Sequence, residues 1–313
     1  VLTRRERIEG GLLGLLLGDA VGVPYEFTRP DALPPRAQLG PAPPAGFARA
    51  HARTPVGTYS DDGAQALCLL ASLLERGRFD QADFAERLVA WYQRGYLAVD
   101  EHVFDVGVQT GEVLGQLARG VSVAHATRRD VGACGNGSLM RVLPLALWHR
   151  GSDAELVRDA FAQSEVTHGH PRAQLCCALY VLWVRRLSTG EDDGPAWAAA
   201  VADLHALTAA DDACAAELAL HIRPDVRRAG RGSGYVVDTL ISARGALAAG
   251  PFADVIRAAI ALGYDTDTTA AVAGGAAGVR DGAAALPPAW LATLRGREAI
   301  DPLLAGLLAH AAP

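Results

Sequence analysis

Thr3-Arg4-Arg5-Glu6-Arg7-Ile8-Glu9-Gly10-Gly11-Leu12-Leu13-Gly14-Leu15-Leu16-Leu17-Gly18-Asp19 is the stretch from which the fold is read. Thr3 and Glu6 stand at the spacing of a capping box, in which each side chain satisfies the other residue's backbone N–H. A helix therefore starts at once. Beyond Ile8 it is leucine and glycine with no polar face, so it requires protein on every side, and its glycines admit close neighbours. The apolar run 12–17, interrupted by Gly14 and closed by Gly18-Asp19, is too short for a bilayer core, which takes about 20 residues. A central buried helix is expected, with no membrane contact and no secretory signal.

The rest of the chain repeats the helical theme. Ser60-Asp61-Asp62 opens a helix that reaches Glu75-Arg76 and stops at Gly77. Further helical patterns cover 80–94, 106–119, 138–149, 153–163, 170–188, 195–209, 211–221, 234–249, 252–263, 267–279 and 288–308. Alanine and leucine dominate them, and β-branched runs of period two are scarce. The expected class is all-α, a compact single domain over 1–313 with no dividing linker. Seven prolines between 30 and 55 rule out a helix there and predict a long loop, either a functional lid or disorder.

Composition narrows the chemistry. With 313 residues, half of them hydrophobic, the chain can bury a large core. Its net charge of −6 disfavours nucleic acid as a partner. All 29 basic residues are arginine, and the lack of lysine excludes both a Walker-type phosphate loop and a Schiff base. Cys68, Cys134, Cys176, Cys177 and Cys214 form no CxxC pair, so reduced thiols in a cytoplasmic protein are expected. Cys134 has no base beside it in sequence to make it a nucleophile.

Two acidic segments look alike. Ser60-Asp61-Asp62 and Asp265-Thr266-Asp267-Thr268 each set carboxylates and a hydroxyl where a helix begins. Helix capping accounts for one oxygen in each, but each segment offers three. The helices that follow are apolar, no arginine stands near either cluster in sequence, and buried unpaired carboxylates are unfavourable. Hard oxygen ligands of this kind suit Mg²⁺, Mn²⁺ or Ca²⁺. A third feature is Gly132-Ala133-Cys134-Gly135-Asn136-Gly137-Ser138, read as a flexible loop entering a helix at Leu139-Met140-Arg141. Such a loop either cradles an anion or merely connects helices, and it holds the chain's one asparagine. Thr167-His168-Gly169-His170-Pro171 fits a helix cap with one substrate-facing imidazole better than a zinc site. Ser233-Gly234-Tyr235 makes a second turn into a helix, its tyrosine either stacking on a base or packing inward.

In order, Gly18-Asp19-Ala20-Val21-Gly22 with Glu26, Ser60-Asp61-Asp62, Gly135-Asn136-Gly137-Ser138-Leu139-Met140-Arg141, Thr167-His168, Ser233-Gly234-Tyr235 and Asp265-Thr266-Asp267-Thr268 span the chain from residue 10 to about 280. This ordered set resembles the ADP-ribosylglycohydrolase family, which includes the dinitrogenase reductase-activating glycohydrolases. The resemblance implies a helical domain with a metal-containing cleft holding two Mg²⁺ or Mn²⁺ ions. It implies hydrolysis of the bond between ADP-ribose and an acceptor, a protein side chain such as arginine or another ADP-ribosylated substrate, with a small molecule and nucleic acid both left open. By the same resemblance Ser60, Asp61, Asp62, Asp265, Asp267 and Thr268 hold the metals. The loop with Gly132, Gly135, Asn136, Gly137, Ser138 and Met140 holds the diphosphate, and His168, Ser233, Gly234 and Tyr235 line the ADP-ribose pocket. Glu26 or Asp267 handles the proton, and Asp105, in Phe104-Asp105-Val106-Gly107, stands by the leaving group. Ser60, Gly63 and Tyr264 depart from the family's usual threonines and glycine.

Two other readings compete. A metal-dependent nucleotide phosphohydrolase would need His-Asp ligand pairs, and that dipeptide does not occur. A catalytically inactive ADP-ribose-binding or structural relative would leave the intact acidic set without a purpose.

Overall fold

The computed structural model describes residues 2–311, so positions 1, 312 and 313 of the expected 1–313 domain lie outside the described residues. In chain order the helices are α1 (Arg4–Gly22), α2 (Asp61–Arg76), α3 (Gln81–Arg94), α4 (Val108–Leu117), α5 (Val123–Ala126), α6 (Leu143–Trp148), α7 (Asp153–Glu165) and α8 (Pro171–Ser188). They continue with α9 (Asp193–Thr208), α10 (Asp212–Glu217), α11 (Val236–Leu247), α12 (Phe252–Ile260), α13 (Thr266–Asp281), α14 (Pro288–Leu291) and α15 (Arg297–His310). No strand forms among the described residues; two isolated bridges, Arg128 with His168 and Gly135 with Tyr235, tie loops together.

Helix α1 starts as its capping box dictates: the Glu6 N–H donates to Thr3 Oγ1 at 3.2 Å and the Thr3 N–H to Glu6 Oε2 at 2.7 Å. From Gly10 to Gly22 it is buried throughout. It lies antiparallel to α13, with main chain against main chain. A Cβ built on Gly10, Gly14 or Gly18 would stand 2.3, 2.3 or 2.1 Å from the carbonyl oxygens of Gly278, Gly274 and Ala270. One on Gly22 would stand 2.4 Å from Cα of Asp267. Glycines four residues apart thus make a smooth strip on α1, and Gly274 and Gly278 answer from α13.

Three expected helices need correction. The one expected over 138–149 starts only at Leu143: the Leu139 and Met140 N–H groups close one turn on the Asn136 carbonyl, at 2.8 and 3.1 Å, but it does not propagate, because the Val142 N–H goes to the Leu139 carbonyl at 3.3 Å. Pro144, at the second helical position, favours a start there. The pattern over 211–221 is α10 followed by a π turn, Leu218–Ile222, which Arg223 ends at φ 48°. The pattern over 288–308 splits into α14 and α15 around Gly296 at φ 75°. The proline-rich segment has only 3₁₀ turns, at Pro30–Ala32 and Arg36–Gln38. It is a packed strap: Leu39 is buried, and the Tyr25 hydroxyl donates to the Gly40 carbonyl at 2.8 Å.

Gly14→Ala should destabilise the fold by about 2 kcal/mol or more, through overpacking against a backbone that cannot give way. Gly245→Ala, at an exposed position of α11 with open space around it, should stabilise by roughly 0.5–1 kcal/mol through helix propensity. Urea midpoints of the two variants measure both effects, and opposite signs are expected.

Candidate active site

The N-termini of α2 and α13, about 200 residues apart in sequence, meet at the end of α1. The Thr268 hydroxyl of α13 donates to Asp62 Oδ2 of α2 at 3.3 Å, and the Ser60 hydroxyl reaches the same oxygen at 3.3 Å. Asp61, Asp62 and Asp267 are buried and Asp265 is half-buried, and burial, then repulsion from the surrounding carboxylates (Asp105 on Asp61, Asp19 on Asp62, Glu26 on Asp267), holds the carboxyls of Asp61, Asp62 and Asp267 well above the usual range. Asp265 is raised by the same burial and partly relieved by a hydrogen bond from Asn136. The six residues Ser60, Asp61, Asp62, Asp265, Asp267 and Thr268 thus occupy one place.

Neighbours that the sequence reading assigned no role hold this cluster. Asp19, in the last turn of α1, accepts the N–H groups of Ser60 at 2.9 Å and Gly63 at 2.8 Å, docking α2. Tyr59 fills the space that a side chain at Gly63 would need, 2.9 Å from its Cβ, which accounts for the glycine there. Behind Asp61 lies Arg141, fully buried, which donates to Gln65 Oε1 at 2.8 Å while Gln65 donates to Asp61 Oδ2 at 3.1 Å. The arginine missing from the neighbourhood in sequence is therefore present in space. A lone charge inside an apolar-looking helix is the sequence signal for Asp19; Arg141 closes one of the ordered motifs but was given no role, and nothing in sequence marks Gln65.

Above the acids opens a cleft of about 430 Å³ lined by Glu26, Asp61, Asp105, Gly135, Gly137, Met140, His168, Gly234, Asp265 and Thr268, among others. Asn136 lines it too, but its amide is committed inward, to Asp265 Oδ2 at 2.8 Å and Thr239 Oγ1 at 2.9 Å. Arg141 donates to Thr167 Oγ1 at 2.9 Å, and that hydroxyl is hydrogen-bonded to His168 Nδ1, 2.8 Å away, which fixes the ring with Nε2 toward the cleft. Burial, with Arg141 nearby, pushes the His168 pKa down to about 3, so the ring is neutral. A side chain at Gly137 would strike that ring, 2.9 Å from its Cε1.

At the mouth, His51 of the strap places Nε2 2.6 Å from Glu26 Oε2 and 3.7 Å from Asp105 Oδ1. The three side chains could hold an ion of their own. No motif pointed to His51. Burial, then the Asp105 charge, raises the Glu26 carboxyl far above its ordinary value. Other expected substrate residues face elsewhere: Ser138 is fully buried with its hydroxyl on Ser164 at 2.8 Å, and Gly132 is exposed on the turn held by Asp130. Ser233 bonds Asp238 at 2.8 Å, and Tyr235 accepts from Arg172 at 3.1 Å; both line a separate hollow. The Cys134 thiol is buried and raised in pKa by that burial, an inert setting.

The sequence matches the profile of the ADP-ribosylglycohydrolase family over residues 1–313. The chain belongs to the ADP-ribosylglycohydrolase family. It is 34% identical over 300 residues to the ADP-ribosylarginine hydrolase Tri1 of Pseudomonas putida (strain GB-1), covering 95% of this chain and 76% of that one. It is 28% identical to the ADP-ribosyl-dinitrogen reductase glycohydrolase of Rhodospirillum rubrum, covering 96% of each chain. A solved structure titled ADP-ribosylglycohydrolase-related protein complex superposes with a TM-score of 0.77 at 30% identity, covering all of both chains. This glycohydrolase is a hydrolase that releases ADP-ribose from an acceptor.

Its acidic cluster fits a divalent cation on a direct observation: Asp62 Oδ1 and Asp267 Oδ2 are buried with no hydrogen-bond partner. Unsatisfied carboxylate oxygens beside hydroxyls are the donor set of a hard metal ion. Asp267→Asn keeps the oxygen that takes the Thr268 N–H and removes one buried charge. In chelator the variant should melt no lower than the unsubstituted chain. With excess Mg²⁺ or Mn²⁺ the order should reverse, the unsubstituted chain gaining about 3 kcal/mol at a hundredfold excess over Kd. Equal responses to the cation, read by melting curves, would place Asp267 outside the ion's reach.

Proposed function

We propose that this glycohydrolase removes ADP-ribose from the guanidinium of arginine side chains on proteins. The observation that carries the reading is the mouth of the cleft: Asp105 stands there outside the acid cluster, beside the Glu26–His51 pair, and no arginine lines the cleft. A guanidinium suits such a mouth, because carboxylates match it in charge and in planar hydrogen-bonding geometry. The name of the Pseudomonas putida relative points the same way.

In this reading Gly135 and Gly137 leave room for the diphosphate, and His168 Nε2 lies against that space. Asp105, at the mouth, pairs with the departing guanidinium. Glu26, bonded to His51, moves the proton of the attacking water, with Asp267 as its neighbour in the acid cluster. The water oxygen bonds to the anomeric carbon, the bond from that carbon to the guanidinium nitrogen breaks, and the proton ends on that nitrogen. Two Mg²⁺ or Mn²⁺ ions held by Ser60, Asp61, Asp62, Asp265, Asp267 and Thr268 would supply charge compensation and a water of lowered pKa.

Defined conjugates linked through arginine and through serine test the reading, each with Mg²⁺, with Mn²⁺ and after chelation. Arginine conjugates should be cleaved with cation and spared without it, and Asp267→Asn should lower turnover by at least about a hundredfold. Cleavage of the serine conjugate with the arginine one left intact would overturn it.

A further inference from the structure

Four residues at the mouth of the cleft hold the left-handed backbone that side chains rarely adopt: Phe27 (φ 59°), His51 (φ 46°), Asp105 (φ 57°) and Tyr264 (φ 61°). Strained positions that persist together are a mark of function. Two of them brace each other, for the Phe27 N–H donates to the Tyr264 carbonyl at 2.6 Å and the Tyr264 N–H to the Thr28 carbonyl at 2.8 Å. The strain gains no burial in return. Phe27 is 70% exposed and Tyr264 45% exposed.

From Phe27 a row of rings runs away from the cleft. Phe27 and His51 are 5.8 Å apart, His51 and Phe104 5.1 Å, and Phe104 stacks on His102 at 5.7 Å and 17°. Carboxylates flank the row: Glu26 and Asp105 at its inner end, and exposed Glu101 beside His102 at its outer end. Aromatic faces attract guanidinium and ammonium groups, and carboxylates beside them repel acidic segments.

We infer that this row, with Tyr264, is an acceptor subsite that grips the basic polypeptide around the modified arginine. The inference rests on the arginine reading above. The row is continuous with the cleft where Asp105 meets the leaving group, so a chain attached there has it within reach. The enzyme therefore favours ADP-ribosylarginine within a protein over the free conjugate.

The test is the ratio of kcat/KM for an arginine-modified protein to kcat/KM for free ADP-ribosylarginine, measured for the unsubstituted enzyme, Tyr264→Gly and His102→Ser. Glycine suits φ 61°, so Tyr264→Gly relieves strain and the fold is kept. In each variant the ratio should fall about tenfold, through a higher KM for the protein with kcat retained. A ratio that holds within about twofold, or rises, in both variants overturns the subsite and leaves the arginine reading standing. An unsubstituted enzyme that cleaves neither arginine conjugate overturns both.

Discussion

The contact between α1 and α13 is the constraint from which the site follows. Because glycines 10, 14, 18 and 22 bring the two main chains together without intervening side chains, the start of α13 is fixed against the last turn of α1. The Thr266 hydroxyl locks the junction by donating to the Gly22 carbonyl at 2.8 Å. Asp19, between Gly18 and Gly22, faces the other way and takes the first N–H groups of α2. One turn of helix thus sets both acid-bearing termini. Their relative position depends on the backbone contacts, on the Asp19 carboxylate and on the Thr266 and Thr268 hydroxyls.

What this geometry brings together is electrostatically unfavourable on its own. Four aspartates and Glu26 share a region from which water is largely excluded, and the surrounding protein compensates only in part. Asn136 relieves Asp265, and Arg141 reaches Asp61 through Gln65. Asp62 and Asp267 keep unsatisfied oxygens. The stability lost there is a site prepared for a cation, and the core packed around α1 is large enough to carry it.

The helical class and the central helix were legible because leucine and glycine without a polar face leave only one environment for α1. Both acid clusters were legible because their carboxylates exceed what capping requires. Their convergence followed from the family resemblance and from charge reasoning, since no local pattern encodes a contact between residues 62 and 268. His51 was hidden in a proline-rich loop whose only sequence signal is the absence of helix. Gln65 and Arg141 were hidden because buried polar networks are set by tertiary distance. The expected helix over 138–149 misled, because apolar periodicity continues through a single turn that tightens at Val142 and resumes as helix only at Leu143.

The strap that carries His51 is joined to its surroundings at separate points: Tyr25 with Gly40, the Ala50 N–H to the Pro24 carbonyl at 3.0 Å, Arg36 to the Asp254 carbonyl at 2.9 Å, Arg257 to the Leu39 carbonyl at 3.1 Å, and His51 with Glu26. Irregular chain of this kind absorbs insertions cheaply, since doubling a loop adds only about 0.6 kcal/mol of closure entropy. Evolution therefore has two separate materials to work with in this molecule. The frame that spaces the aspartates resists drift, because almost any side chain added along its glycine strip collides with backbone. The strap can be lengthened, shortened or rewritten while the acids stay in place, so new acceptors are reached by editing the entrance and leaving the machinery alone.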